Sequence, residues 1–238
     1  MAARANHEIE EGSPDHPTEE TVPRTKAPSL TALAILKKES DPDIFLLRFE
    51  EICHRLYSGV LLFDKEKKIA EQKFWVDKEL GKNCFLVLSE AIGITWSGNS
   101  NKYWEYVVEK EKCFEGEVDI PVAKLKSVCW LEATGRFRTI LLSPKTTYKV
   151  SFVVKMSESS SGWHYPLSVN LNLPDGSTQG RTENLQDKPK GGDWFRILIG
   201  SFTTNPKNVG ELTFALRETG NHWKSGLIIK GVLLQALD

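Results

Sequence analysis

Apolar and polar positions alternate along most of the chain beyond residue 73. In "PLSVNLNLPDG", Leu167, Val169, Leu171 and Leu173 are separated by Ser168, Asn170 and Asn172 and run into a Pro-Asp-Gly turn. That period of two marks a strand with one buried and one wet face. "YKVSFVVKM" gathers Val150, Phe152, Val154 and Met156 on one face, and "ELTFALRE" does the same with Leu212, Phe214 and Leu216. "KFWV" and "NCFLVL", joined by the turn-like "DKELGK", predict a hairpin, and further strands are predicted over 127–131, 195–199 and 226–234. Eight or more short strands, with turn signals and no helical periods between them, give a mostly β fold: an antiparallel β-sandwich or jelly roll.

Upstream the period changes. Asp41 is a plausible N-cap with Pro42 at the first helical position. Phe45, Phe49, Ile52 and Leu56 then recur at helical spacing before Gly59, predicting a helix over 41–57. A shorter apolar run over 29–36 predicts one or two helical turns. Residues 1–28 hold three basic and six acidic residues and almost nothing large and apolar, so they cannot offset the entropy of ordering. The expected organisation is a disordered acidic tail (1–28), a helical leader (29–72) and a β domain (73–238). The leader's apolar stripe is expected to dock on the sandwich of the same chain.

Charge narrows the function classes. The chain of 238 residues carries a formal net charge of −1, and residues 84–238 hold eighteen basic against sixteen acidic residues. No broad basic face for nucleic acid follows. The N-terminus lacks the apolar core of a secretory signal, and no stretch approaches the roughly 20 apolar residues of a membrane span. A cytoplasmic protein is therefore expected. The four cysteines show no Cys-x-x-Cys spacing and are read as reduced thiols. Cys84 and Cys129 fall in apolar runs and are expected in the core, whereas Cys113, in "EKEKCFEGE", is expected to be exposed and open to intermolecular pairing. The five histidines form no ligand spacing, no Gly-x-Ser-x-Gly elbow occurs, and no Gly-rich loop precedes a helix. No metal, cofactor or catalysis is expected.

The stretch "AIGITWSGNSNKYWEYV" sets Trp96 and Trp104 on either side of a loop of small polar residues. An exposed indole matches the C–H face of a pyranose ring, while polar side chains around it take the hydroxyls. The competing reading places both tryptophans in the core, where most tryptophans go. Trp130 and Trp194 read as core; Trp163 and Trp223, near turns, fit either rim aromatics or loop plugs. Glu211 and Glu218 bracket one strand. At roughly 3.3 Å per residue they lie about 23 Å apart, far beyond the roughly 5 to 9.5 Å of a glycosidase pair, unless the chain doubles back. Single carboxylates still accept hydrogen bonds from sugar hydroxyls.

Six motifs in order, "KFWVDKELGKNCFLVLSEAIGITW", "KYWEY", "KSVCWLEATGRF", "LLSPKTTYKVSFVVK", "GDWFRILIGSF" and "WKSGLIIKGVLLQAL", resemble the phloem protein 2 family of plants, the Nictaba-like lectins. "YSGVLLFDKEKKIAEQKFWVDK" further resembles its A branch, in which a leader precedes the lectin domain. The resemblance implies a jelly-roll-like domain that binds N-acetylglucosamine oligomers and the glucosamine-containing core of N-glycans without catalysis, in the cytoplasm of phloem cells. The Lys-rich nuclear-targeting run associated with the family has no counterpart in "ENLQDKPKGGD". By the same resemblance Trp96, Trp104, Glu211 and Glu218 are the carbohydrate-binding residues. The alternative it carries is a structural or interaction protein of sieve elements, forming homo-oligomers through Cys53 or Cys113, joining other phloem proteins, or associating with RNA.

Overall fold

The computed structural model describes residues 27–39, 46–64, 66, 68–98 and 101–237. Among the described residues, thirteen strands make two antiparallel sheets packed as a sandwich, so the expected fold class holds. The larger sheet runs β1 (Val60–Phe63), β2 (Ala70–Val76), β3 (Asn83–Leu88), β13 (Ser225–Ala236), β6 (Gly116–Leu125) and β5 (Trp104–Cys113). Beside β13 it also carries β8 (Thr147–Ser161) and then β11 (Phe195–Thr203). The smaller sheet runs β10 (Thr178–Glu183), β9 (Leu167–Asn172), β12 (Glu211–Glu218), β7 (Leu131–Arg138) and β4 (Gly93–Ile94).

The period-two segments form the core between the sheets. Val150, Phe152, Val154 and Met156 of β8 meet Leu167, Val169 and Leu171 of β9 and Leu212, Phe214 and Leu216 of β12 in one buried cluster. The Phe152 and Phe214 rings cross edge to face at 5.9 Å. The hairpin read from "KFWV" and "NCFLVL" is β2–β3, paired from Gln72–Val87 to Val76–Asn83. The strand expected over 127–131 does not form. Val128 makes an isolated bridge to Lys224, and β7 begins only at Leu131, because the chain turns the sandwich corner there.

Charge misleads at the β5–β6 hairpin. β6 pairs with β13 only through Ala123 and Lys124. Beyond that, Ile120 and Val122 pack on Leu86, Leu88, Ile228 and Leu233 across the outer face of the larger sheet. The charges of the hairpin are held in pairs against that face: Glu111 takes Lys73 and Lys230, each at 2.8 Å, and Glu109 takes Lys155. Cys113 is consequently buried, not exposed as its charged neighbours suggest, and burial raises its pKa, with Lys73 acting in the opposite sense. Cys53 is buried too, and burial drives the Cys84 thiol up to about 11. Neither Cys53 nor Cys113 presents the accessible thiol that intermolecular pairing needs.

The leader contains α1 (Leu30–Glu39) and α2 (Phe49–Ser58). The helix predicted over 41–57 starts later: Arg48 is the N-cap, Leu46–Arg48 is not α-helical, and Asp41, Pro42 and Phe45 lie outside the described residues. α2 packs on β2 and β5 of the same chain and buries Cys53 and Leu56, while Phe49 is 54% exposed. The expected stripe is therefore rotated, and Phe49 is not part of the seal. Leu56→Ala is expected to cost about 2–5 kcal/mol, whereas Phe49→Ala stays within about 0.5 kcal/mol. Denaturant titration of both variants checks this, and equal losses would contradict it.

Candidate functional site

Trp96 sits in a turn that closes β4, with φ of 71°. An aromatic residue rarely accepts a left-handed backbone, and such strain persists only when the surroundings fix it. Here they do. Thr95 N–H donates to the Glu132 carbonyl at 3.0 Å and Ser97 N–H to the Ile94 carbonyl at 3.2 Å. Eight residues on, Trp104 donates its indole N–H to the Thr95 carbonyl at 3.2 Å. The two tryptophans thus have opposite fates: Trp104 is 1% exposed and anchors the turn from beneath, and Trp96 is 49% exposed with the Tyr103 ring 6.0 Å away. Asn99 and Ser100 of the polar loop lie outside the described residues.

Next to this turn lies an ion-paired row. Thr95, Glu132 of β7, Arg217 of β12 and Ser168 of β9 stand side by side on the outer face of the smaller sheet. Arg217 Nε donates to Glu132 Oε1 at 2.6 Å. Hydrogen bonding from Arg217, helped by the Trp130 side chain, holds the Glu132 carboxyl below its ordinary pKa, so it stays an acceptor. Trp130, expected in the core, is 51% exposed, because β7 starts one residue later and leaves it at the corner. Alternation along "LEATGRFR" was the available signal for Glu132, Thr134 and Arg136 as an outward row; the pairing of Glu132 with Arg217, 85 residues away, left none.

From this row a groove of about 490 Å³ runs along the outer face toward Glu211. Its floor includes the cross-strand row Gly93, Thr134 and Ala215, small enough to keep it low. Asn172, Thr213 and Arg136 form the next row, in which Asn172 Nδ2 donates to Thr213 Oγ1 at 3.0 Å. Glu211 closes the far end, exposed, with Arg136 Nε at 3.7 Å.

Glu218 occupies a different environment. It is the inward-facing end of β12, 8% exposed, and its carboxylate pairs with Lys224, whose side chain is fully buried. It also accepts from Gly220 N–H at 3.0 Å and faces His222 Nε2 at 3.2 Å. Lys224 Nζ donates further to the carbonyls of Cys129, His222 and Glu218. β12 runs unbroken from Glu211 to Glu218, so the two carboxylates stand at opposite ends of one strand and on opposite faces. Of the four residues assigned from sequence, the structure ties Trp104, at the start of β5, to the turn that carries Trp96, puts Glu218 inside the same end of the sandwich, and leaves Glu211 at the remote end of the groove. Of the two tryptophans read either way, Trp163 is a plug, with its indole N–H on the Ser225 carbonyl at 2.9 Å, and Trp223 is exposed.

The architecture is an antiparallel β-sandwich, and relatives named as lectins support a carbohydrate-binding role of the lectin type. A sequence model of the family Phloem protein 2 matches residues 82–236. The chain is 37% identical over 205 residues to Protein PHLOEM PROTEIN 2-LIKE A1 of Arabidopsis thaliana, spanning 85% of this chain and 78% of that one. It is 34% identical over 205 residues to a protein named Lectin from Luffa acutangula, spanning 85% and 92%, and 28% identical over 160 residues to one of the same name from Coccinia grandis, spanning 67% and 98%. The chain belongs to the phloem protein 2 family. No helix among the described residues is long and apolar enough to cross a membrane.

Proposed function

We propose that the chain is a non-catalytic lectin of the cytoplasm that binds N-acetylglucosamine oligomers and N-glycan cores along the outer face of the smaller sheet. The observation that carries this reading is Trp96, half exposed and held in a left-handed turn beside the Thr95, Glu132 and Arg217 row, whose Arg217 lines a polar groove. One sugar stacks on its indole. Further rings lie over the low floor, where the Asn172 and Thr213 side chains and the carboxylates of Glu132 and Glu211 reach hydroxyl and acetamido groups. Trp104 acts here as a positioning residue, since its ring is covered, and Glu218 holds the end of the sandwich that carries the turn. A groove of this length favours oligomers over single sugars.

Titration calorimetry with chitin oligomers of increasing length is the test. Affinity is expected to rise with length, and Trp96→Ala to lower it at least tenfold, about 1.4 kcal/mol or more, at an unchanged melting temperature. Glu211→Gln is expected to weaken only the longer oligomers, because it touches the far end alone. Equal affinity for wild type and Trp96→Ala would remove the assignment.

A further inference from the structure

The outer face of the larger sheet carries a second cleft, of about 310 Å³, at the foot of the β5–β6 hairpin. Its floor is Leu86, Val153 and Leu233, and its aromatic lining is Trp75 of β2 and Trp194, the residue before β11. Both indoles stand half buried on a sheet face that points away from the main core. Gly231 of β13 marks a close approach of the β13 and β3 backbones. It sits across β13 from Val153, and a Cβ there would meet the Val87 carbonyl oxygen at 2.0 Å.

The charge around this cleft is unbalanced. Lys73, Lys230 and Arg196 line it against the single carboxylate of Glu111. Glu111 already divides itself between Lys73 and Lys230, at 2.8 Å each, and all three side chains are between 12% and 14% exposed. Lys155 and Lys230 hold their ammonium groups 4.8 and 4.9 Å from the Trp194 ring centroid, and the nearby Lys155 is balanced by Glu109. Arg196, exposed, donates Nη1 to the neutral Gln235 side chain at 2.7 Å. The Lys73, Lys230 and Glu111 cluster, net positive and little exposed, is costly unless an anion answers it, and an aliphatic floor between two indoles favours a flat ring.

We infer that this cleft binds a small aromatic carboxylate, its ring over Leu233 and Val153 beside Trp75 and Trp194, and its carboxylate on Arg196 and Lys230. A guanidinium takes a carboxylate through two parallel N–H donors, and the volume suits one or two fused rings. The site lies on the opposite sheet from the Trp96 groove and does not depend on what that groove binds.

Calorimetry on the full chain with 2-naphthoate tests it, with 2-naphthamide and glucuronate as controls. One naphthoate per chain is expected, with the amide and glucuronate each at least tenfold weaker, since one lacks the charge and the other the ring. Arg196→Gln, at an exposed position, is expected to weaken naphthoate at least fivefold without moving the melting temperature. Trp194→Phe keeps a ring and is expected to weaken it less than Trp194→Ala. Naphthoate bound no more tightly than the amide, glucuronate bound equally well, or affinity unchanged in Arg196→Gln would each overturn the proposal.

Discussion

Glu218→Gln is expected to destabilise the protein by about 3–5 kcal/mol, the cost of leaving a buried charge without its partner. The ammonium of Lys224 has no exposed surface, and Glu218 supplies the one carboxylate paired with it among the described residues. The carbonyls of Cys129, His222 and Glu218 would remain as acceptors, which solvate the ammonium without cancelling its charge. Lys224→Met is expected to cost a similar amount through the stranded carboxylate. The double variant Glu218→Gln with Lys224→Met should recover much of the loss, because neither charge is then left buried without its partner. Urea titration of the three variants measures this cycle, and additive losses would contradict it. The same experiment separates two roles for Glu218: a structural carboxylate predicts sugar affinity that falls only with the folded fraction, whereas lost affinity at wild-type stability would put the carboxylate on the ligand.

Trp104→Ala should lose about 3–5 kcal/mol, the range for truncating a large buried aromatic, and sugar affinity with it. Its indole fills the core against Leu125, its cross-strand partner, and its N–H holds the Thr95 carbonyl one residue before Trp96. Without that bond only the backbone hydrogen bonds of Thr95 and Ser97 oppose the strain of the left-handed Trp96. Trp104→Phe restores most of the volume but not the donor. It is expected to regain much of the stability while oligomer affinity stays reduced, which thermal denaturation and calorimetry on one sample distinguish. Full recovery of affinity in Trp104→Phe would show that the hydrogen bond does not position the turn.

The two tryptophans also mark where reading a sequence stops. Trp96 and Trp104 stand eight residues apart in similar surroundings, and both were assigned to the sugar; one is exposed and the other covered. Nothing local separates them, because burial depends on Leu125 across the hairpin and on the core behind it. Cys113 and Trp130 fail for related reasons. The charges around Cys113 find partners in β2 and β13, up to 119 residues distant, and Trp130 is exposed only because β7 begins at Leu131.

What the amino-acid order determined by itself was everything with a local period. Strands β8, β9 and β12, the β2–β3 hairpin and a helical segment before them follow from alternation and turn chemistry, which act over a few residues. The resemblance of six ordered motifs added the family. The tertiary structure alone decided which face of each element meets another. It rotated α2 so that Leu56 and not Phe49 is sealed, laid the β5–β6 hairpin across the larger sheet, and joined Glu132 to Arg217 beside Trp96. It also sealed Glu218 against the buried Lys224 while leaving Glu211 exposed. Those outcomes rest on contacts between residues far apart in the chain, where packing and charge pairing override local preference.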